Sequence, residues 1–106
     1  MSLLSLFMRA DINEGIKAVR ATPGAKLIDV RTEEEFSLGR IPGSISIPLD
    51  SIAMVEDIIP HKDTPLFLYC QSGARSSSAV RYLKGMGYAN ATNLGGISAW
   101  RGKIER

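Results

Sequence analysis

The chain has 106 residues and a mass of 11.5 kDa, the size of one domain. Hydrophobic residues make up 44% of it and charged residues 23%, which excludes a disordered or collagen-like chain. Thirteen basic against eleven acidic side chains leave a net charge of +2, too small and mixed to point to nucleic acid or an anionic membrane, and one cysteine, Cys70, excludes a disulfide framework or a multi-cysteine zinc site.

Residues 4–8 (Leu-Ser-Leu-Phe-Met) read as a short first strand. No basic residue precedes them, no small-residue cleavage site follows, and they are far short of a membrane span. Asp11 is placed to cap a helix whose apolar residues Ile12, Ile16 and Val19 recur at helical spacing. Residues 26–31 read as a buried strand. Thr32 and Glu35 form a capping-box pattern that opens a short helix through Phe36 and Leu38, closed by Gly39. After a turn at Ile41, Pro42 and Gly43, residues 44–47 alternate like a strand. Asp50 or Ser51 is expected to cap the next helix, through Ile52, Val55, Ile58 and Ile59. Residues 60–65 form a polar loop carrying His61, the only histidine. Residues 66–69 are a strongly apolar strand that ends in Cys70, and a helix is expected from about Arg75 to Lys84, with Ala79, Val80 and Leu83 inward. Residues 91–94 give a last short strand, and residues 97–100 a short C-terminal helix. Strands and helices therefore alternate throughout, which predicts one α/β domain over residues 1–106 with a mainly parallel sheet and helices on both faces.

The candidate chemistry lies in Cys70-Gln71-Ser72-Gly73-Ala74-Arg75-Ser76. The cysteine ends a strand, at the sheet edge where α/β proteins bind ligands. Small residues and a glycine let the loop's amides turn inward, and the first amides of the following helix point the same way. A sulfur at that focus is favoured as an anion. Lowering a thiol pKa from ~8.5 to ~6.5 takes about 2.7 kcal/mol. A helix N-terminus supplies ~0.3–2 kcal/mol, and each hydrogen bond to a charged group ~1.5–3 kcal/mol. Two aimed amides suffice, with Arg75 adding to them if it faces the pocket. No general base is required, and His61 has no assigned role. A lone cysteine ending an apolar strand is commonly inert core. What favours the reactive reading is the Ser-Gly-Ala-Arg loop directly before a helix.

Four segments in order resemble the rhodanese family of single-domain sulfurtransferases: Leu27-Ile28-Asp29-Val30-Arg31; Glu35-Phe36 with Gly39-Arg40-Ile41-Pro42-Gly43-Ser44-Ile45; the Cys70–Ser76 loop; and Leu94-Gly95-Gly96 with Ala99-Trp100. The resemblance spans residues 4–101. It implies a rhodanese-like α/β fold with a five-stranded sheet, and a persulfide mechanism. In that mechanism Cys70 takes the outer sulfur of thiosulfate or a similar small anionic donor and passes it to cyanide, a thiol or a protein thiolate. It also implies that the amides of Gln71, Ser72, Gly73, Ala74, Arg75 and Ser76 stabilise the persulfide. No metal or cofactor enters this scheme, and neither nucleic acid nor membrane is an expected partner. One unpaired thiol suits a reducing, cytoplasmic setting. Arg40 stands where the family commonly has His, either adding a cation near the site or facing solvent.

Two rivals follow from the same loop. A cysteine-dependent phosphatase or arsenate reductase needs a roomier loop, with five residues between cysteine and arginine, whereas four lie between Cys70 and Arg75. A non-catalytic interaction module has no need of the cysteine. Asp29 and Arg31 end a strand beside Cys70, either supporting the site or forming a surface pair. Trp100 reads as a core or lid aromatic.

Overall fold

The computed structural model describes residues 11–106. Four strands, β1 (Lys26–Asp29), β2 (Ser44–Ser46), β3 (Leu66–Cys70) and β4 (Ala91–Gly96), form one sheet in the order β2-β1-β3-β4. Every pairing is parallel. The expected first strand at residues 4–8, the fifth of the sheet, lies outside the described residues. The helices are α1 (Ile12–Ala21), α2 (Glu33–Leu38), α3 (Val55–Ile58) and α4 (Ala74–Gly85), with 3-10 segments at Leu49–Met54 and Ile97–Ala99.

Strand alternation divides the core into two layers. In β3, Leu66, Leu68 and Cys70 face one side and Phe67 and Tyr69 the other. The first layer packs Ile28, Val30, Leu66, Leu68 and Cys70 against Ala79 and Leu83 of α4 and against Ile52, Val55 and Ile59. The second packs Leu27, Tyr69 and Leu94 against Ile12 and Ile16 of α1. Both faces of the sheet are thus covered, as parallel sheets require. Gly15 of α1 leaves room for Leu94, since a β-carbon there would lie 2.6 Å from its Cδ2.

The capping signals near α1 and α2 work as the sequence predicts. Asp11 Oδ1 accepts from the Asn13 amide at 2.9 Å. Thr32 and Glu35 exchange the reciprocal bonds of a capping box, at 3.1 and 3.0 Å. The segment after β2 differs. Neither Asp50 nor Ser51 caps a helix there: a 3-10 segment starts behind Pro48, breaks at Ser51 (φ −116°, ψ 19°), and only then runs into α3. Inserting Ile52, Val55 and Ile59 into one layer is what this broken path achieves. The helix after Cys70 is one residue longer at each end than expected. β1 stops at Asp29, two residues early, although the Val30 amide still donates to the Tyr69 carbonyl of β3 at 3.1 Å. β4 runs on to Gly96. Its register against β3 slips, with Leu68 opposite Asn93 but Tyr69 opposite Gly95, so Leu94 is the extra residue of a bulge.

Candidate active site

Cys70 is the last residue of β3, and its Sγ receives the turn that follows. The Gly73 amide donates to Sγ at 3.0 Å and the Ser76 amide at 3.4 Å, with Ser76 Oγ also 3.4 Å away. Burial is the largest single influence on this thiol and pushes its pKa up. The hydrogen bonds from the Ser76 hydroxyl and from the Ser76, Gly73 and Ser72 amides together outweigh it and hold the thiol below its ordinary value. Cys70 has no exposed surface, while Gln71, Ser72 and Ala74 in front of it are exposed.

The turn depends on glycine twice. Gly73 sits at φ +103°, a left-handed conformation that lets the chain reverse directly from strand to helix. Gly96 is bare because the turn lies on it: a β-carbon there would sit 2.7 Å from Ser72 Cα.

Asn93, in the bulged strand, went unnoticed in the sequence. Its Nδ2 donates to the Gly73 carbonyl at 3.1 Å, and its Oδ1 accepts from Ser76 Oγ at 2.7 Å and from the Gly95 amide at 2.9 Å. One side chain thus holds the turn, the start of α4 and the bulge together. The only sequence signal was an amide residue in a short strand.

Among the loop residues, Gly73 and Ser76 contact the sulfur directly and Ser72 contributes its amide. The guanidinium of Arg75 turns aside. Its Nη1 and Nη2 donate to Glu35 Oε1 and Oε2 at 2.7 and 3.0 Å. Arg75 and the Thr32 cap bonds bring the Glu35 carboxyl down to about 2, so the pair is ionised throughout the neutral range. Arg40 neither faces solvent alone nor adds a free cation. Its Nε donates to Glu105 Oε1 at 3.1 Å, its guanidinium lies 4.8 Å from the Phe36 ring, and the two backbones bridge at 2.9 and 2.8 Å.

Asp29 and Arg31 are a buried pair, 0% and 5% exposed, rather than a surface one. Arg31 Nη2 donates to Asp29 Oδ2 at 2.8 Å and to the Gly39 carbonyl at 2.7 Å. On the opposite face from Cys70, Tyr69 Oη accepts from the Ile41 amide at 3.1 Å and lies 3.2 Å from Ser44 Oγ. Burial pushes the Tyr69 phenol up to about 12. These contacts pin residues 39–44 under the sheet edge. His61 is exposed, and Trp100 is half-buried against the second layer with its Nε1 donating to the Lys103 carbonyl. Among the described residues, no cluster of three His, Cys, Asp or Glu side chains could hold a metal, and no helix is long and apolar enough to cross a membrane.

A parallel α/β sheet with this arrangement at its carboxyl edge defines a rhodanese-type sulfurtransferase. The chain belongs to the rhodanese-like domain family, whose profile matches residues 12–103. It is 42% identical over 80 residues to a sulfurtransferase of Allochromatium vinosum, covering 74% of each chain. It is 38% identical over 81 residues to a thiosulfate sulfurtransferase of Ectopseudomonas mendocina, covering 74% of this chain and 72% of that one. A longer relative, 30% identical over 92% of this chain, is covered over only 25% of its own length. Among solved structures, a rhodanese with anions from E. coli superposes with a TM-score of 0.72 at 29% identity, over 77% of this chain and 98% of that one.

Proposed function

We propose that the chain transfers sulfane sulfur through a persulfide on Cys70. The Cys70 thiolate attacks the outer sulfur of thiosulfate or a similar small anionic donor. The donor's S–S bond breaks, sulfite leaves with the bonding electron pair, and Cys70 carries a persulfide anion. An acceptor nucleophile (cyanide, a thiol or a protein thiolate) then takes the outer sulfur, and the electrons of the Cys70 S–S bond return to Sγ as thiolate. Both steps conserve charge without a proton, so neither His61 nor a carboxylic acid is needed.

The observation that carries this reading is the convergence of the Gly73 and Ser76 amides on one sulfur. Such donors stabilise the thiolate before the reaction, and the anionic persulfide needs the same kind of support afterwards. The thiosulfate sulfurtransferase among the relatives supports thiosulfate as a donor. The occupation of Arg75 by Glu35 weighs against a phosphatase, which would need that fork for its substrate's oxygens. A single thiol and a net charge of +2 fit a cytoplasmic protein that binds neither nucleic acid nor membrane.

Intact mass spectrometry after incubation with thiosulfate tests the reading. Wild type gains the mass of one sulfur atom, released by cyanide as thiocyanate, and Cys70→Ser gains none. A sulfur adduct on Cys70→Ser, or none on wild type, overturns it.

A further inference from the structure

Three arginines on the elements around the Cys70 turn are paired with carboxylates: Arg31 with Asp29, Arg40 with Glu105, and Arg75 with Glu35. The Arg75 pair differs from the other two in its position. Arg75 belongs to the first turn of α4, directly after the sulfur-holding loop, and its charge and that of Cys70 act on each other. Glu35 and Gln71 line one shallow surface hollow beside the turn, together with Arg31 and Arg106.

We propose that Glu35 is a specificity-determining residue that cancels the charge of Arg75 at the donor site and thereby holds down the affinity for dianionic donors. This rests on the sulfur-transfer reading above and extends it to the class of donor preferred. A guanidinium held by both carboxylate oxygens presents little net field to a third ion. Free Arg75 would attract a dianion such as thiosulfate twice as strongly as a monoanion, because the Coulomb energy scales with donor charge. With Glu35 in place that distinction is muted, and monoanionic donors such as thiosulfonates or alkyl persulfides compete with thiosulfate.

Glu35→Gln isolates this effect. Glu35 is also the third residue of the α2 capping box, a position where glutamine serves as well. The Gln carbonyl can keep the bond from the Thr32 amide. Its NH2, however, meets Arg75 Nη2 donor to donor, so the fork opens and Arg75 keeps its charge.

The experiment compares steady-state sulfur transfer to cyanide from thiosulfate and from benzenethiosulfonate, a monoanion that releases benzenesulfinate when its outer sulfur is taken. In Glu35→Gln, KM for thiosulfate falls about fivefold and KM for benzenethiosulfonate about twofold, with kcat little changed, and added salt erases both gains. In Arg75→Met the unpaired Glu35 raises KM for thiosulfate more than for benzenethiosulfonate. The double variant, neutral at both positions, returns the ratio of the two KM values to that of wild type. Equal changes for both donors mean that the bridge only holds the turn in place, and they overturn the proposal while leaving sulfur transfer intact. Failure of wild type to transfer sulfur from either donor overturns the parent reading and this one with it.

Discussion

Ser76 shows how finely the sulfur's surroundings are set. Its hydroxyl has one proton and three candidate acceptors, Asn93 Oδ1 at 2.7 Å, the Gly73 carbonyl at 3.2 Å and Cys70 Sγ at 3.4 Å. While the thiol is neutral the shortest bond holds that proton. As charge develops on sulfur, a charge-assisted bond becomes the strongest of the three and the proton swings over. Ser76→Ala removes this donor but keeps the Ser76-position amide. Losing a bond that favours the charged form raises the thiol pKa, by about one unit for a bond worth ~1.5 kcal/mol. The rate of iodoacetamide alkylation against pH reads the shift, whose midpoint moves to higher pH; an unmoved midpoint places the hydroxyl permanently on Asn93. At this scale the chain order alone put the Gly73 and Ser76 amides beside Cys70, whereas the partners of the cations could not be read from it. Arg75 and Glu35 lie 40 positions apart, and Ser76 and Asn93 lie 17 apart. No local pattern states which carboxylate will meet which guanidinium across such separations.

Elements were most legible where their signals are short-range. The capping box of α2 and the Asp11 cap involve groups two or three residues apart, and both stand in the structure as written in the chain. Asp50 and Ser51 carried an equally good local signal and lost to packing, because the segment breaks to place Ile52 and Val55 in the core. The bulge in β4 was invisible for a related reason: it exists only relative to β3. That bulge sets Gly95 and Gly96 beside the Cys70 turn, and the backbones approach closely there. Gly96 lies at φ −117°, so alanine meets no backbone strain and only the space is lacking. Gly96→Ala must push residues 71 and 72 outward. A cost of ~1–3 kcal/mol in urea denaturation follows from overpacking of this kind. Displacement of the amides from Sγ costs more, with sulfur transfer falling about tenfold or beyond. Full activity in Gly96→Ala would show that the turn yields without moving its amides.

Across the whole molecule, one chain of polar contacts runs from the centre of the sheet to the reactive loop. Asp29, at the end of β1, holds Arg31. Arg31 holds the Gly39 carbonyl at the end of α2. Inside α2, Glu35 grips Arg75 at the start of α4. Exposure falls along this path, from about a third at Glu35 and Arg75 to none at Asp29, so the inner link carries the greater energetic weight. Asp29→Asn keeps the shape but leaves the buried Arg31 guanidinium without a countercharge, with one neutral amide oxygen and the Gly39 carbonyl as its acceptors. Breaking a buried pair from one side costs ~3–5 kcal/mol, whereas replacing both partners with apolar groups of similar volume is often close to neutral. Asp29→Asn is therefore expected to lose about 3 kcal/mol in urea denaturation at neutral pH, and Asp29→Leu combined with Arg31→Met to recover most of it. Sulfur transfer separates the two roles of the pair. If its work is only to keep the fold, the double variant recovers activity along with stability. If it also orients α2, and through Glu35 the donor site, then stability returns while the ratio of thiosulfate to benzenethiosulfonate KM stays displaced. The second outcome is expected, because no apolar pair can replace the bond from Arg31 to the Gly39 carbonyl.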